Sequence, residues 1–266
     1  MNEILNYLVL GVVQGLTEFL PISSTGHLVV ARDLLGITAE YGLATDAVLH
    51  LATAFAVLLY FRKDIARLVA GAFAWVSGRV VERADRVLIL ALLFGTIPAV
   101  VVGLLFQDVI ESTFRSPALV AYALLGGSLL FFVAERAATQ SGALSARKGV
   151  LIGLFQALAL IPGVSRSGAT ISGGLLLGLH REEAARFAFL LSFPVILGAG
   201  LLNFLELGES GVLAVSGSLI ALAALAAFVS GLGAIHFMLS YLKHHTLDVF
   251  IVYRVVLALI ILFFLS

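Results

Sequence analysis

The sequence predicts an all-α polytopic membrane protein, with about six transmembrane helices plus two re-entrant helical hairpins in an inverted-topology repeat. Three observations lead there. Hydrophobic residues fill 61% of the 266 positions and charged residues only 12%, too little polar surface to coat a water-soluble globule. The long Leu, Val, Ala and Phe runs lack the period-two alternation of a membrane barrel, so helices must satisfy the backbone in hydrocarbon. Two further apolar stretches are broken in the middle and match each other at a fixed offset.

Segments of about 20 apolar residues, the length that crosses a bilayer, lie near 44–61, 87–106, 117–135, 182–205, 212–238 and 247–265. The stretches 3–36 and 149–179 are each cut by Pro, Gly, Ser and Thr into halves too short to cross alone. Such a pair dips in and returns to the same side, and its irregular tip is tolerated only where it lines a protein cavity.

At an offset of 142, Gly11 falls on Gly153, Gln14 on Gln156, Ser23 on Ser165, Thr25 on Ser167, Gly26 on Gly168, and Leu34-Leu35-Gly36 on Leu176-Leu177-Gly178. The matches concentrate at the breaks. Residues 1–140 and 141–266 then form two units of one hairpin and three spans. An odd number of crossings starts the second unit on the opposite side. Counting basic residues tests the parity: Arg62, Lys63, Arg67, Arg79, Arg83 and Arg86 follow the first span and are assigned to the cytoplasm. Arg136, Arg147, Lys148, Arg181, Arg186 and Lys243 then also fall inside, which leaves outside a 107–116 loop with Arg115 alone and a 206–211 loop with no basic residue. The first hairpin is expected to enter from outside and the second from the cytoplasm, with their tips meeting near the midplane.

The first tip carries Gln14 and Glu18 four residues apart, on one helical face. Pro21 ends that half-helix, and Ser23, Ser24 and Thr25 are N-cap types for the next. The second tip, Pro162 to Thr170, repeats the design and adds Arg166. Two helix N-termini, several hydroxyls (Ser23, Thr25, Ser165, Ser167, Thr170), the backbone at Gly26 and Gly168, and one guanidinium make a cradle for an anion with many oxygens, phosphate above all. At this depth Arg166 costs about 2.5–3.5 kcal/mol on insertion scales, so it needs a partner or a task. A carboxylate (Glu18), a nucleophile-capable hydroxyl (Ser24) and a histidine (His27) beside such a cradle complete the parts of phosphoryl-transfer chemistry: nucleophile, acid/base, and a charge clamp in Arg166.

Other features read as structural. His50 sits in a span with no motif around it and is taken as an ordinary hydrogen-bonding histidine. Asp46 and Arg254 are intramembrane charges without nameable partners, and the glycines at 126–127 and 173–174 look like close helix packing. The 16 basic and 16 acidic residues cancel, which excludes nucleic-acid binding as a charge-driven function. There is no Cys and hence no disulfide. No basic segment precedes the first apolar stretch, so a mature N-terminus is expected.

The strings QGLTEFLPISSTGHL (14–28) and PGVSRSGATISGG (162–174) resemble the signature of the bacterial undecaprenyl-diphosphate phosphatase family, the BacA type linked to bacitracin resistance. The likeness continues through GTIPAVVVGL from Gly95, REEAARFAFLLSFP from Arg181 and VYRVVL around Arg254. The resemblance implies hydrolysis of undecaprenyl diphosphate to undecaprenyl phosphate and phosphate, recycling the lipid carrier of cell-wall synthesis. It also implies an inner-membrane protein open to the periplasm, a homodimer, and competition with bacitracin for the lipid. By position, Glu18, Ser23, Ser24, Thr25, His27, Ser165 and Arg166 fall on the family's active-site residues, and Gln14 stands where the family has Glu or Gln. A divalent cation, Mg²⁺ or Ca²⁺, is implied as well. With Gln at position 14 it would be bound mainly through the diphosphate, with Glu18 as the one protein carboxylate.

In the mechanism read from these residues, Ser24 attacks the outer phosphorus and Glu18 or His27 takes its proton. Arg166 and the 165–168 amides hold the developing charge. His27 as nucleophile and direct attack by water remain as alternatives. Inverted repeats with broken helices are also the plan of secondary transporters, so a polyprenyl-phosphate carrier or flippase using the same cradle is the competing reading.

Overall fold

The computed structural model describes residues 3–36, 39–113, 116–208 and 212–264. Eleven helices account for most of them: α1 (Glu3–Phe19), α2 (Ser24–Leu35), α3 (Ala39–Tyr60), α4 (Arg62–Val76), α5 (Arg83–Thr113), α6 (Pro117–Ala137), α7 (Ala146–Leu158), α8 (Arg166–Leu176), α9 (Arg181–Gly208), α10 (Val212–Tyr241) and α11 (Asp248–Phe264). Among the described residues, parts of α5, α6, α9 and α10 are long and apolar enough to cross a membrane by themselves. Helices α3 and α11 occupy the other two predicted spans. The described side chains of α3 begin at Thr45, and α11 has 17 residues, the lower end of the spanning range.

Three expectations change. The stretch after α3, read as a basic loop, contains α4, which leaves α3 at a bend of 81°. Its Arg, Lys and Asp residues alternate with Ile65, Leu68 and Val69, an amphipathic pattern that a hydropathy window blurs. The stretches 107–116 and 206–211, expected as outer loops, are partly helical, because α5 runs on through Thr113 and α9 through Gly208. Arg115, the lone basic residue expected there, lies outside the described residues.

Ion pairs gather the basic segments at one end of the molecule. Asp64 meets Arg186 at 2.6 Å, Glu182 meets Lys243 at 3.4 Å and Arg136 meets Asp248 at 3.5 Å. Buried Glu135 holds Arg181 through both carboxylate oxygens and accepts from the Leu247 amide at 2.9 Å. The Gly142 amide donates to the Gly178 carbonyl at 2.8 Å, so the α7–α8 hairpin enters and leaves at this same end.

Glycine contacts fix the direction and depth of both hairpins. A Cβ on Gly11 would strike the Ala223 carbonyl, and one on Gly15 would strike the Ala227 carbonyl and Ser230 hydroxyl. Helix α1 therefore runs alongside α10 in the same direction, starting from the end opposite the ion pairs. Asn6 donates to the Leu35 carbonyl at 3.4 Å, which closes the α1–α2 hairpin at that opposite end. In the same way Gly149 faces Ala91 and Gly153 faces the Gly95 carbonyl, so α7 runs alongside α5 from the basic end. Small residues let the backbones approach closely where lipid supplies no hydrophobic drive for helix association. Helix α3 also packs on α9 and α10, α6 on α11 and α8, and α8 on α9. Exchanging the two halves of the chain swaps α1–α10 with α5–α7 and keeps α3–α9 and α6–α11, whereas α8–α9 and α6–α8 have no counterpart of comparable extent.

A methyl group at Gly153 should therefore be far costlier than one at Gly126, where nothing lies within 4 Å. Gly153→Ala is expected to destabilise the protein by about 1–3 kcal/mol, the usual range for overpacking. Gly126→Ala should leave the thermal midpoint in detergent unchanged, and equal midpoints for the two variants would refute the close α5–α7 approach.

Candidate active site at the two hairpin tips

Each tip is built the same way. Ser23 and Ser165 cap α2 and α8, accepting from the amides of Gly26 at 3.4 Å and Gly168 at 3.3 Å. Both serines hold positive φ, 73° and 78°, a region that non-glycine residues enter only at a cost of about 1–3 kcal/mol. The strain turns the chain sharply from the break into the helix and presents the first amides of α2 and α8 toward the same space. Gly168 is required for a second reason, because a Cβ there would collide with the Phe131 ring. The tips touch directly: Ser167 Oγ donates to the Leu20 carbonyl at 3.1 Å.

Glu18 is the centre of the site. Its Oε2 accepts from Ser24 Oγ at 2.8 Å and from Gln14 Nε2 at 3.1 Å, while Oε1 accepts from Arg166 Nη1 at 3.2 Å. His50 of α3 places Nε2 at 3.9 Å from the same Oε2. The carboxylate is buried and the Arg166 side chain is 21% exposed. Arg166 thus has the partner that its depth demands, with guanidinium nitrogens left for a ligand. Ser24 presents its hydroxyl to a base, the arrangement that makes a weak nucleophile usable.

A cavity of about 450 Å³ opens over this cluster. Its polar floor is Glu18, Ser23, Ser24, Thr25, His50, Ser165 and Arg166, and its walls are apolar residues of α5 and α9, among them Val100, Leu104, Pro194 and Leu202. Leu104 and Leu202 are 69% and 53% exposed, so the apolar side opens toward lipid. An amphiphile with a charged head fits this shape.

The structure brings together Gln14, Glu18, Ser23, Ser24, Thr25, Ser165 and Arg166. Gly26 and Gly168, expected to offer their backbone to the anion, instead donate their amides to the Ser23 and Ser165 caps. Thr170 instead bonds back to the carbonyls of Arg166 and Ser167, and Ser167 ties the tips together. His27 stands apart and does not line the cavity. Its Nδ1 donates to the Ser23 carbonyl at 2.8 Å, which leaves Nε2 to accept from the Tyr253 hydroxyl at 2.6 Å. The ring stacks on Tyr253 of α11 at 5.5 Å. Both nitrogens are occupied, so the nearby base for Ser24 is Glu18.

Three side chains read as structural now have partners. His50 belongs to the cavity, and the available signal was an ionisable side chain deep in a span, which marks a functional candidate by itself. Asp46 pairs with Arg32 of α2. Arg254 is fully buried, donating to Ser128 Oγ and to the carbonyls of Leu124 and Gly163 while lying over the Phe131 ring. Its bond to Gly163 braces the second tip from behind. Among the described residues no three His, Asp or Glu side chains converge into a protein-only cation cage.

The Glu18–Arg166 pair predicts coupled substitutions. Glu18→Gln and Arg166→Gln should each lower the thermal midpoint in detergent, and the double variant should lose less than their sum. A coupling of about 1–3 kcal/mol is expected for partners in contact, and additive losses would show that the two do not interact.

Compared with known proteins, residues 7–260 match the family described as "Bacitracin resistance protein BacA". An undecaprenyl-diphosphatase of Rubrobacter xylanophilus is 44% identical over 267 residues, covering 98% of both chains. One from Myxococcus xanthus is 44% identical over 264 residues, covering 98% of this chain and 88% of its own. The undecaprenyl-diphosphatase of Mycolicibacterium smegmatis is 44% identical over 265 residues, covering 97% and 95%.

Proposed function

This chain belongs to the bacitracin resistance protein BacA family, and from that premise we propose that it hydrolyses undecaprenyl diphosphate to undecaprenyl phosphate and inorganic phosphate. The observation that carries this reading is the chain Ser24–Glu18–Arg166 on the floor of a cavity whose walls are apolar. The polar floor takes the diphosphate, and the α5–α9 walls take the first prenyl units from the lipid side.

We propose Ser24 as the nucleophile. In the first step Ser24 Oγ bonds to the terminal phosphorus as the bridging P–O bond breaks, and Glu18 Oε2 takes the hydroxyl proton. Gln14 and Arg166 hold the carboxylate in place. Arg166, with the amides at the α2 and α8 N-termini, stabilises charge on the phosphoryl oxygens. Undecaprenyl phosphate leaves. Water then hydrolyses the phosphoserine, and Glu18 returns its proton to Ser24. A divalent cation would be held by the diphosphate oxygens with Glu18 as the protein ligand, and would neutralise diphosphate charge. The carrier reading is weaker, because binding and release do not require a hydroxyl seated on a buried carboxylate.

The setting is also our proposal. The ion-paired basic segments support assigning their end to the cytoplasm, and α1 entering from the other end supports a cavity reached from the periplasmic face of the inner membrane. The symmetric pairings support reading 1–140 and 141–266 as inverted copies of one unit. A homodimer, and bacitracin competing for the diphosphate lipid, rest on the family resemblance alone.

Phosphate release from a polyprenyl diphosphate in detergent with Mg²⁺ or Ca²⁺ tests the assignment. Ser24→Ala should lower kcat by at least about 10³-fold while keeping the wild-type thermal midpoint. A near-normal kcat would remove Ser24 as nucleophile. A wild-type protein that binds the lipid without releasing phosphate would turn the reading to the carrier.

A further inference from the structure

The first half-reaction uses Ser24, Glu18, Gln14 and Arg166, but the second needs a water molecule aimed at the phosphoserine from the side opposite Ser24. Of the polar side chains that line the cavity, His50 is the titratable one that the mechanism leaves idle. It comes from α3, outside both hairpins, and so reaches the floor from a different wall. The Thr53 hydroxyl donates to the His50 carbonyl at 2.8 Å, which ties the α3 backbone at this point.

We propose that His50 is the residue that orients the hydrolytic water, an inference that rests on Ser24 being the nucleophile. The separation of 3.9 Å between His50 Nε2 and Glu18 Oε2 is too long for a direct hydrogen bond. The Nε2 nitrogen is therefore not spent on Glu18, and its ring lines the same cavity. The Ser24–Glu18 bond of 2.8 Å limits Nε2 to within about 7 Å of Ser24 Oγ. An in-line water belongs about 5 Å from that oxygen, since a P–O bond and an attack distance of about 3–3.5 Å lie end to end. One hydrogen bond from such a water reaches Nε2.

The step balances without any further reactant. The water oxygen bonds to phosphorus while the bond from phosphorus to Ser24 Oγ breaks. Glu18 gives Ser24 Oγ the proton taken in the first step, and the water proton moves to a non-bridging phosphoryl oxygen, which leaves as inorganic phosphate. Nε2 accepts one hydrogen bond from the water and turns its lone pair toward phosphorus, the water-positioning role that glutamine plays in some nucleotide hydrolases. A glutamine carbonyl can accept the same bond, and an alanine cannot.

Rapid-quench kinetics with a polyprenyl diphosphate separate the two half-reactions. His50→Ala should release about one prenyl monophosphate per enzyme in a burst, followed by steady-state turnover about 10²-fold below wild type. Phosphate should be found on Ser24 by mass spectrometry, and the Ser24→Ala/His50→Ala double variant should show no burst. His50→Gln should restore turnover to within about tenfold of wild type and abolish the burst. If His50→Ala slows both products together with no burst, or His50→Gln is as slow as His50→Ala, the water-orienting role is overturned. Failure of the Ser24 reading shows separately, as near-normal turnover in Ser24→Ala alone.

Discussion

A carboxylate sealed between two broken helices governs this structure. Glu18 is buried, and an isolated charge there would be prohibitively expensive. It is tolerated because Ser24, Gln14 and Arg166 all donate to it. Those donors come from both hairpins, so satisfying one carboxylate forces the tips to meet. Arg166 is under the same pressure from the other side. Neither charge is stable at that depth without the other, and the pair leaves a guanidinium edge and a hydroxyl facing a cavity. The stabilising interaction and the reactive arrangement are one set of contacts.

Bringing two tips to one point requires half-helices of the right length held at the right depth. The glycine contacts of α1 with α10 and of α7 with α5 supply this, because backbones in near contact cannot slide without a side chain passing a carbonyl. The strained serines at 23 and 165 then set the angle at which each second half-helix leaves the break. That strain persists because each side chain caps its own helix and the tip is enclosed by other elements. Arg254 adds to the enclosure from α11, where its bond to the Gly163 carbonyl satisfies a group left free by the break.

Much of this was legible in the sequence because its causes are local. Pro21 and Pro162, with Ser and Gly beside them, interrupt apolar runs, and the offset of 142 pairs the interruptions residue by residue. Six span positions coincide with α3, α5, α6, α9, α10 and α11. What could not be read depends on side-chain direction or on partners distant in sequence. His50 entered the site because α3 packs beside α9 and α10, and His27 left it because Tyr253, 226 positions away, offers both a stack and a hydroxyl. The partners of Arg254 are two carbonyls, a serine hydroxyl and an aromatic ring, which no residue-type pattern reveals. Helix α4 was hidden because its charges and apolar residues average to a polar loop.

The two hairpin tips share their strained serine caps while their chemistry differs, and this difference favours hydrolysis over transport. Position 24 in the first half corresponds to position 166 in the second, so the residue that follows each strained cap is Ser in one copy and Arg in the other. A symmetric pair of serines would bind an anion through two helix N-termini but would leave Glu18 without its counter-ion. Two arginines would hold phosphate tightly and supply no nucleophile. Having one of each puts a hydroxyl on one oxygen of Glu18 and a guanidinium on the other, so that nucleophile, base and charge-stabilising group stand together. A carrier that alternates its access gains from equal affinity on its two faces. A site polarised in this way instead gains from holding one geometry, as transition-state stabilisation requires.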